Sequence, residues 1–100
     1  MGLTSDPDDP RLTHGVDDER KPQAGFYLVL SDEERAKGFT RPYRDAYTHL
    51  TCGKVTTMAR SIAETYAVEP SFYGATYCTR CAMHRPIGEF EWLDGTKVGS

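Results

Sequence analysis

The apolar residues of the chain fall into a few short runs, and each run predicts one element of secondary structure. FYLVL at 26–30 consists of β-favouring and aliphatic side chains and predicts the first core strand. SDEERAKG follows it and predicts a two-turn helix over about 32–37. Ser31 is a favourable N-cap for this helix, acidic residues occupy its first turn, and Gly38 is suited to ending it.

The longest periodic pattern lies in KVTTMARSIAETYAV at 54–68. Its apolar residues recur at spacings of three and four, which is typical of one face of an α-helix. They are Val55, Met58, Ala59, Ile62, Ala63 and Tyr66. The pattern predicts the main helix of the domain over about 54–68, packed on the core through this stripe and stopped by Pro70.

Two apolar runs near the C-terminus, SFYGATYC at 71–78 and GEFEWL at 88–93, predict strands that flank a pair of cysteines. DGT at 94–96 predicts the turn that closes this region. Upstream, RPYRDAYTHLTCG at 41–53 contains a proline that disfavours a helix, and it predicts an extended arm. The elements together predict an α+β fold in which one main helix lies between two cysteine-bearing turns.

Residues 1–25 differ in composition from the remainder of the chain. They contain three prolines, three glycines, many aspartates and few large apolar side chains. Such a segment buries too little apolar surface to offset the entropy of ordering it. The composition predicts an extended, flexible acidic segment at 1–25, attached to a folded domain at 26–100. The alternative is a strap in which Leu12, His14 and Val16 pack across that domain.

The formal net charge of −3 excludes a strongly basic class of nucleic-acid-binding protein. Nine acidic and four basic residues precede position 36, so the acidity is concentrated at the N-terminus and the remainder is mildly basic. No apolar run has the length of a signal-peptide core or of a membrane span. We therefore expect a cytoplasmic protein with reduced thiols and no membrane association.

The three cysteines lie in two short motifs, His49-x-x-Cys52 and Cys78-x-x-Cys81. A redox pair is one interpretation of the second motif, but it requires a helix after the first thiol, and AMHRPIG is a poor helix sequence. A cysteine nucleophile is another interpretation, yet no oxyanion loop or orienting third residue is recognisable. A metal site uses every cysteine of the chain, and the spacing within each motif suits tetrahedral Zn²⁺.

Two histidines are candidates for the fourth zinc ligand. His49 precedes the first cysteine at the same spacing that separates the second from the third. His84 is the alternative, but Pro86 and the following strand favour a hairpin over the helical turn that ligation by His84 would need. Three cysteines and one histidine leave no position open for water or substrate, which predicts structural zinc and no enzymatic activity. The predicted fold is a small zinc-stabilised ribbon or knuckle domain.

Arginine and aromatic residues are frequent between positions 37 and 85. The candidate binding residues are Arg41, Tyr43, Arg44, Arg60, Arg80 and Arg85. This composition is typical of protein interfaces and also of surfaces that stack on nucleobases. Because phosphate neutralisation requires positive charge and the chain is negative, we favour a protein partner. The alternative is a nucleic-acid-binding zinc-ribbon module that uses this arginine- and tyrosine-rich face.

Several motifs together carry a resemblance to a known group of proteins. They are DPRLTHG at 9–15, GFTRPYRDAYTHLTCG at 38–53, TTMARSIAETYAVEPSFYGATYCTRCAMHRPIGEFEW at 56–92 and DGTKVGS at 94–100. The chain resembles small bacteriophage-encoded Cys/His proteins of no established activity. The resemblance implies a phage origin and zinc binding, and its matching positions are His49, Cys52, Cys78, Cys81 and His84. It also implies a small accessory protein that binds a host or phage protein, inhibition of that protein being one form of such binding.

Overall fold

The computed structural model describes residues 2–10, 12, 16–17, 19–20 and 25–99. Within these residues, two α-helices and seven strands form an α+β fold with three small sheets, in agreement with the predicted fold class. In chain order the elements are β1 (Gly2–Thr4), β2 (Phe26–Leu28), α1 (Asp32–Arg35), β3 (Ala46–His49), β4 (Val55–Thr57), α2 (Arg60–Val68), β5 (Ala75–Cys78), β6 (Met83–Pro86), a 3-10 turn (Ile87–Glu89) and β7 (Phe90–Trp92).

The central sheet is antiparallel and has the strand order β4-β3-β7. Along β3 the side chains alternate, so that Tyr47 and His49 are buried while Ala46 and Thr48 are half-buried. Tyr47 lies opposite Trp92 of β7, and His49 lies opposite Phe90. The pairing with β7 therefore buries His49 beside an aromatic strand at one end of the sheet.

A second antiparallel pair, β5 and β6, forms a hairpin around the last two cysteines. The strand predicted at 88–93 does not pair in this hairpin, because Phe90–Trp92 forms β7 and pairs with β3. Cys78 lies opposite Met83, and the intervening turn contains Cys81. Ala82 adopts a left-handed backbone conformation with a φ of 53°, and its N–H donates to the Cys78 carbonyl at 2.8 Å. This tight turn directs both cysteine side chains to the same side of the hairpin.

The prediction of a continuous helix over 54–68 is wrong in its first part. Residues Val55–Thr57 form β4, and the helix α2 begins only at Arg60. Three consecutive β-branched residues favour a strand, and β4 gains a full backbone ladder by pairing with β3. The second half of the pattern is confirmed, since Ala63 and Tyr66 are buried against the core.

In the N-terminal half, the observed helix and strands agree only in part with the elements that the sequence predicts. Helix α1 is present but spans only Asp32–Arg35, one turn rather than the two predicted over about 32–37. The Ser31 hydroxyl accepts a hydrogen bond from the Glu34 N–H at 3.3 Å, as the capping pattern predicts. The FYLVL run forms a strand only over Phe26–Leu28, which pairs in parallel with β1 rather than with the central sheet. A strand at Gly2–Thr4 is not predicted from the composition of this segment.

The predicted strap at 12–16 is described in part. Leu12 is half-buried and Val16 is exposed, while His14 lies outside the described residues. In the described part of the chain, no helix is long and apolar enough to cross a membrane.

The core is predominantly aromatic. Its buried members are Tyr47, Tyr66, Cys78, Phe90, Trp92 and Val98. The Trp92 ring meets the rings of Tyr47 and Tyr66 edge-on, at centroid distances of 6.4 and 5.3 Å. One of the cysteines is therefore an integral part of the core, so the chemistry of the cysteines and the packing of the domain are coupled.

Candidate metal centre

Four side chains from the two predicted motifs converge at the ends of two hairpins. His49, Cys52, Cys78 and Cys81 each point one ligand atom into a cluster whose atoms all lie within 4.8 Å of one another. His49 ends β3 and Cys52 follows in the turn to β4, while Cys78 ends β5 and Cys81 follows in the turn to β6. The structure therefore brings together the two halves of the site that the spacing predicts.

The first ligand-bearing turn is closed by backbone hydrogen bonds. The carbonyl of His49 accepts from the N–H groups of Cys52 and Gly53, at 3.2 and 2.6 Å. Gly53 has a φ of 77°, a conformation that costs glycine little and other residues considerably more. The sharp reversal at Gly53 lets Cys52 face back toward the imidazole of His49, with 3.4 Å between Sγ and Nδ1.

The second turn has related geometry. The backbone N–H of Cys81 donates to Sγ of Cys78 at 3.4 Å and closes the turn between the two cysteines. Sγ of Cys81 lies 3.5 Å from Nδ1 of His49, and Sγ of Cys78 lies 3.5 Å from Sγ of Cys52. Each cysteine of the second turn therefore lies within 3.5 Å of a ligand atom of the first turn.

The ionisation of the thiols shows how crowded the cluster is. Burial raises the pKa of the Cys81 thiol, and the adjacent Cys78 and Cys52 sulfurs raise it further, to about 11. Burial also acts to raise the pKa of Cys52, but hydrogen bonds from the Lys54 N–H and from the other cluster members lower it to about 7. Several thiolates at this separation repel one another. A divalent cation removes that repulsion and deprotonates thiols that coordinate it.

Three of the six separations between the ligand atoms fit a tetrahedron centred on zinc. Zn–S bonds of about 2.3 Å and Zn–N bonds of about 2.0–2.1 Å imply S···S edges of about 3.8 Å and S···N edges of about 3.6 Å. The observed separations of 3.4 to 3.5 Å are close to those values. All three cysteines are free thiols, whereas a disulfide would bring two sulfurs to about 2.05 Å. The four residues could therefore hold a metal ion, since their ligand atoms all lie within 4.8 Å of one another.

The second ring nitrogen of His49 has a partner that the sequence does not reveal. Nε2 lies 2.8 Å from Oε1 of Glu89, and the ring stacks on Phe90 with 4.6 Å between centroids. Because the carboxylate accepts, the network assigns the proton to Nε2 and leaves the Nδ1 lone pair directed at the sulfurs. The hydrogen bond from His49 lowers the pKa of Glu89, and Arg85 lowers it further. Glu89 thus orients the imidazole so that Nδ1 faces the sulfurs of Cys52 and Cys81.

His84, the alternative fourth ligand, is held elsewhere. Its Nδ1 lies 2.8 Å from Oδ2 of Asp17, and its Nε2 lies 2.8 Å from the Tyr27 hydroxyl. The same Asp17 oxygen accepts from the backbone N–H of His84 at 2.7 Å. Both ring nitrogens therefore contact oxygen atoms of N-terminal residues, and His49 is the histidine that joins the three cysteines.

The candidate binding residues do not form one continuous basic face. Arg44 pairs with Asp94 and lies 4.8 Å from the centre of the Trp92 ring system, where it packs as part of the fold. Arg60 pairs with Glu64, and Arg85 pairs with Glu89. Arg41 and Tyr43 are exposed beside Phe39, and Arg80 is exposed in the second ligand-bearing turn.

No protein-family model, curated protein or solved structure matches the chain. The site must accordingly be interpreted from its own residues. The fold and the cluster define a small α+β protein with three cysteines and a histidine placed to bind a metal ion, an arrangement compatible with a structural zinc site.

Proposed function

We propose that the protein is a non-enzymatic interaction module whose fold is stabilised by structural Zn²⁺ bound to His49, Cys52, Cys78 and Cys81. The convergence of these four ligand atoms within 4.8 Å is the observation that carries the proposal. The identity of the metal follows from the donor atoms, because three thiolates and one imidazole form a soft donor set that selects zinc over magnesium or calcium. Four protein ligands complete a tetrahedral shell, so no coordination position is left for a substrate.

The proposed role of the metal follows from what it would connect. The His49 and Cys52 side chains belong to the β3–β4 turn of the central sheet, while Cys78 and Cys81 belong to the β5–β6 hairpin. The two sheets share no strand. Zinc would cross-link them covalently and supply the positive charge that allows three neighbouring sulfurs to ionise.

Metal analysis of two histidine variants tests the ligand set. We expect the wild-type protein and His84→Ala to purify with about one zinc per chain. We expect His49→Ala to bind zinc more than about 100-fold more weakly, because loss of a ligand exceeds the roughly 10- to 100-fold effect of losing a group that merely orients one. Competition with a chromogenic zinc chelator measures the zinc affinity of the wild-type protein and of the two variants. Zinc retained by His49→Ala and lost by His84→Ala would reverse the assignment.

A stacked pair of exposed aromatic rings supports a protein partner. Phe39 is 45% exposed and Tyr43 is 42% exposed, and their ring centroids lie 6.4 Å apart. Arg41 lies between them in sequence and is also exposed. We call Phe39, Arg41 and Tyr43 the aromatic face. Exposed aromatic rings next to an arginine have the composition of interface hot spots.

The pairing of the arginines favours a protein over a nucleic acid. Three candidate cations, Arg44, Arg60 and Arg85, each contact a carboxylate of the same chain. Those pairs reduce the positive charge available to phosphate, and the net charge of −3 acts in the same direction. With the resemblance to phage-encoded proteins, we propose a host or phage protein as the partner, encountered in the cytoplasm of the host cell.

A comparison of two surface variants tests this proposal. We expect the double variant Phe39→Ser/Tyr43→Ser to lose a partner that the wild-type protein captures from host lysate. Leu93→Ser is the control, since Leu93 is 63% exposed but lies outside the aromatic face. Both variants should keep their zinc. Equal capture by all three proteins would refute the role of the aromatic face, and salt-sensitive binding to DNA or RNA would support the nucleic-acid alternative instead.

A further inference from the structure

A cavity of about 340 Å³ lies between the central sheet, the start of α2 and strand β5. Five of the six tyrosines of the chain line it, and they are Tyr27, Tyr47, Tyr66, Tyr73 and Tyr77. Protein interiors contain few voids larger than a water molecule, whereas small-molecule sites begin at about 300 Å³. The cavity therefore has the size of a ligand site rather than that of a packing defect.

Hydrogen bonds to the tyrosine hydroxyls fix the walls of this cavity. The Tyr47 hydroxyl donates to the Tyr77 carbonyl at 2.6 Å, and the Tyr73 hydroxyl donates to the Leu28 carbonyl. The Tyr27 hydroxyl lies 2.8 Å from Nε2 of His84. Each of these bonds would have to break before its ring could turn inward to fill the space. The cavity is thus preformed, which lowers the cost of binding a ligand.

The lining is uncharged. None of the described residues that line the cavity carries a charge at neutral pH. Burial raises the pKa of Tyr47 to about 12 and also raises the pKa values of Tyr66 and Tyr73, so these phenols stay neutral. An anion would lose its hydration there without a cationic partner. The faces of the tyrosine rings can attract a cation, but no carboxylate among the described lining residues would balance its charge.

The lining also selects for shape. Aromatic rings interact best with other flat rings, in offset-stacked or edge-to-face arrangements. Thr57 and Thr76 are also lining residues, and the Thr76 hydroxyl donates to the Tyr47 hydroxyl at 3.2 Å. Hydroxyls can donate to or accept from a polar group on the edge of a ring. A flat ring with one or two hydrogen-bonding atoms matches both features.

We propose that this cavity is a binding site for an uncharged aromatic compound of one or two rings that carries a hydrogen-bonding group. The site is separate from the metal cluster, since none of the four cluster residues lines it. It is also separate from the aromatic face, because neither Phe39 nor Tyr43 lines it. Binding of a small molecule is therefore a further activity, beyond the proposed interaction with a protein.

Titration of the zinc-loaded full-length protein with three small probes tests the proposal. Indole is the uncharged aromatic probe, benzoate is the anionic probe and tetramethylammonium is the cationic probe. The methyl resonance of Ile62, a lining residue, reports binding by NMR. We expect saturable shifts with indole and none with either ion. No saturable shift with indole, or tighter binding of either ion, would overturn the proposal.

A cavity-filling variant locates the binding. Ala59 lines the cavity, and Ala59→Leu should weaken indole binding at least 10-fold while leaving the zinc content unchanged. Ala36→Leu is the matched control, because Ala36 is exposed at the end of α1 and should leave the affinity unchanged. If Ala59→Leu fails to fold, Ala75→Val fills the cavity from β5 instead. Indole affinity unchanged in a folded filling variant would place the binding elsewhere and refute the proposed site.

Discussion

Removal of zinc is expected to unfold the domain around the cluster. Structural zinc contributes on the order of 10–16 kcal/mol in small zinc-binding peptides, while the net stability of a domain is only about 5–15 kcal/mol. The described chain has a small core, and buried Cys78 belongs to it. Without a cation, the like charges of neighbouring thiolates must be removed by protonation or separated. Loss of the metal is therefore expected to disturb the packing of the aromatic core, of which Cys78 is a part.

Chelator titration followed by circular dichroism measures this effect. We expect the cooperative thermal transition of the zinc-loaded protein to disappear on chelation at neutral pH and to return when zinc is added. Cys81→Ser should behave like the chelated protein. Arg80→Ser is its matched control, since Arg80 is exposed in the same turn and its side chain is not among the clustered ligands. An unchanged transition in the chelated protein would remove the basis for a structural metal.

Phe90→Ala is expected to lower the free energy of unfolding by about 3–5 kcal/mol, the range for truncating a buried phenylalanine. The Phe90 side chain is fully buried, with 0% exposure. Its ring packs against His49 at 4.6 Å and edge-on to Tyr47 at 5.3 Å between centroids. Truncation therefore leaves a cavity beside the ligand histidine and frees its imidazole to rotate. We expect weaker zinc binding to accompany the loss of stability.

Urea unfolding of the zinc-loaded protein checks the Phe90 prediction, with the metal concentration held fixed because metal binding is linked to stability. Leu93→Ala is the control, since Leu93 lies three residues away and is 63% exposed. Its effect should stay within about 0.5 kcal/mol, as for most surface substitutions. Equal effects of the two substitutions would show that Phe90 does not support the site in the way that its contacts indicate.

The metal cluster is the part of the molecule that the sequence predicts best, and the reason is physical. Each half of the cluster is a local motif in which two ligands are separated by two residues, so one tight turn brings them together. Because the chain has only three cysteines and all of them lie in these two motifs, a four-ligand site must join one motif to the other. The N-cap at Ser31 is predictable for the same reason, because the capping hydroxyl and the N–H group that donates to it lie within one helical turn.

Features that depend on contacts between distant residues are not predictable in this way. The apolar pattern from Val55 fits a helix, but pairing with β3 overrides it. The parallel pairing of Gly2–Thr4 with β2 has no local signal, and neither does the hydrogen bond between Glu89 and His49. The tyrosine-lined cavity likewise requires five residues spread over the chain between positions 27 and 77.

The position of β7 in the chain has a consequence for biosynthesis. This strand carries Phe90 and Trp92 into the core, and it completes the central sheet beside β3, which is made much earlier during translation. Val98, also buried, follows only near the very end. All four cluster residues therefore leave the ribosome before the central sheet, which buries His49, can be completed. A stop codon in place of Glu89 would remove β7, and cellular proteases should clear the resulting polypeptide.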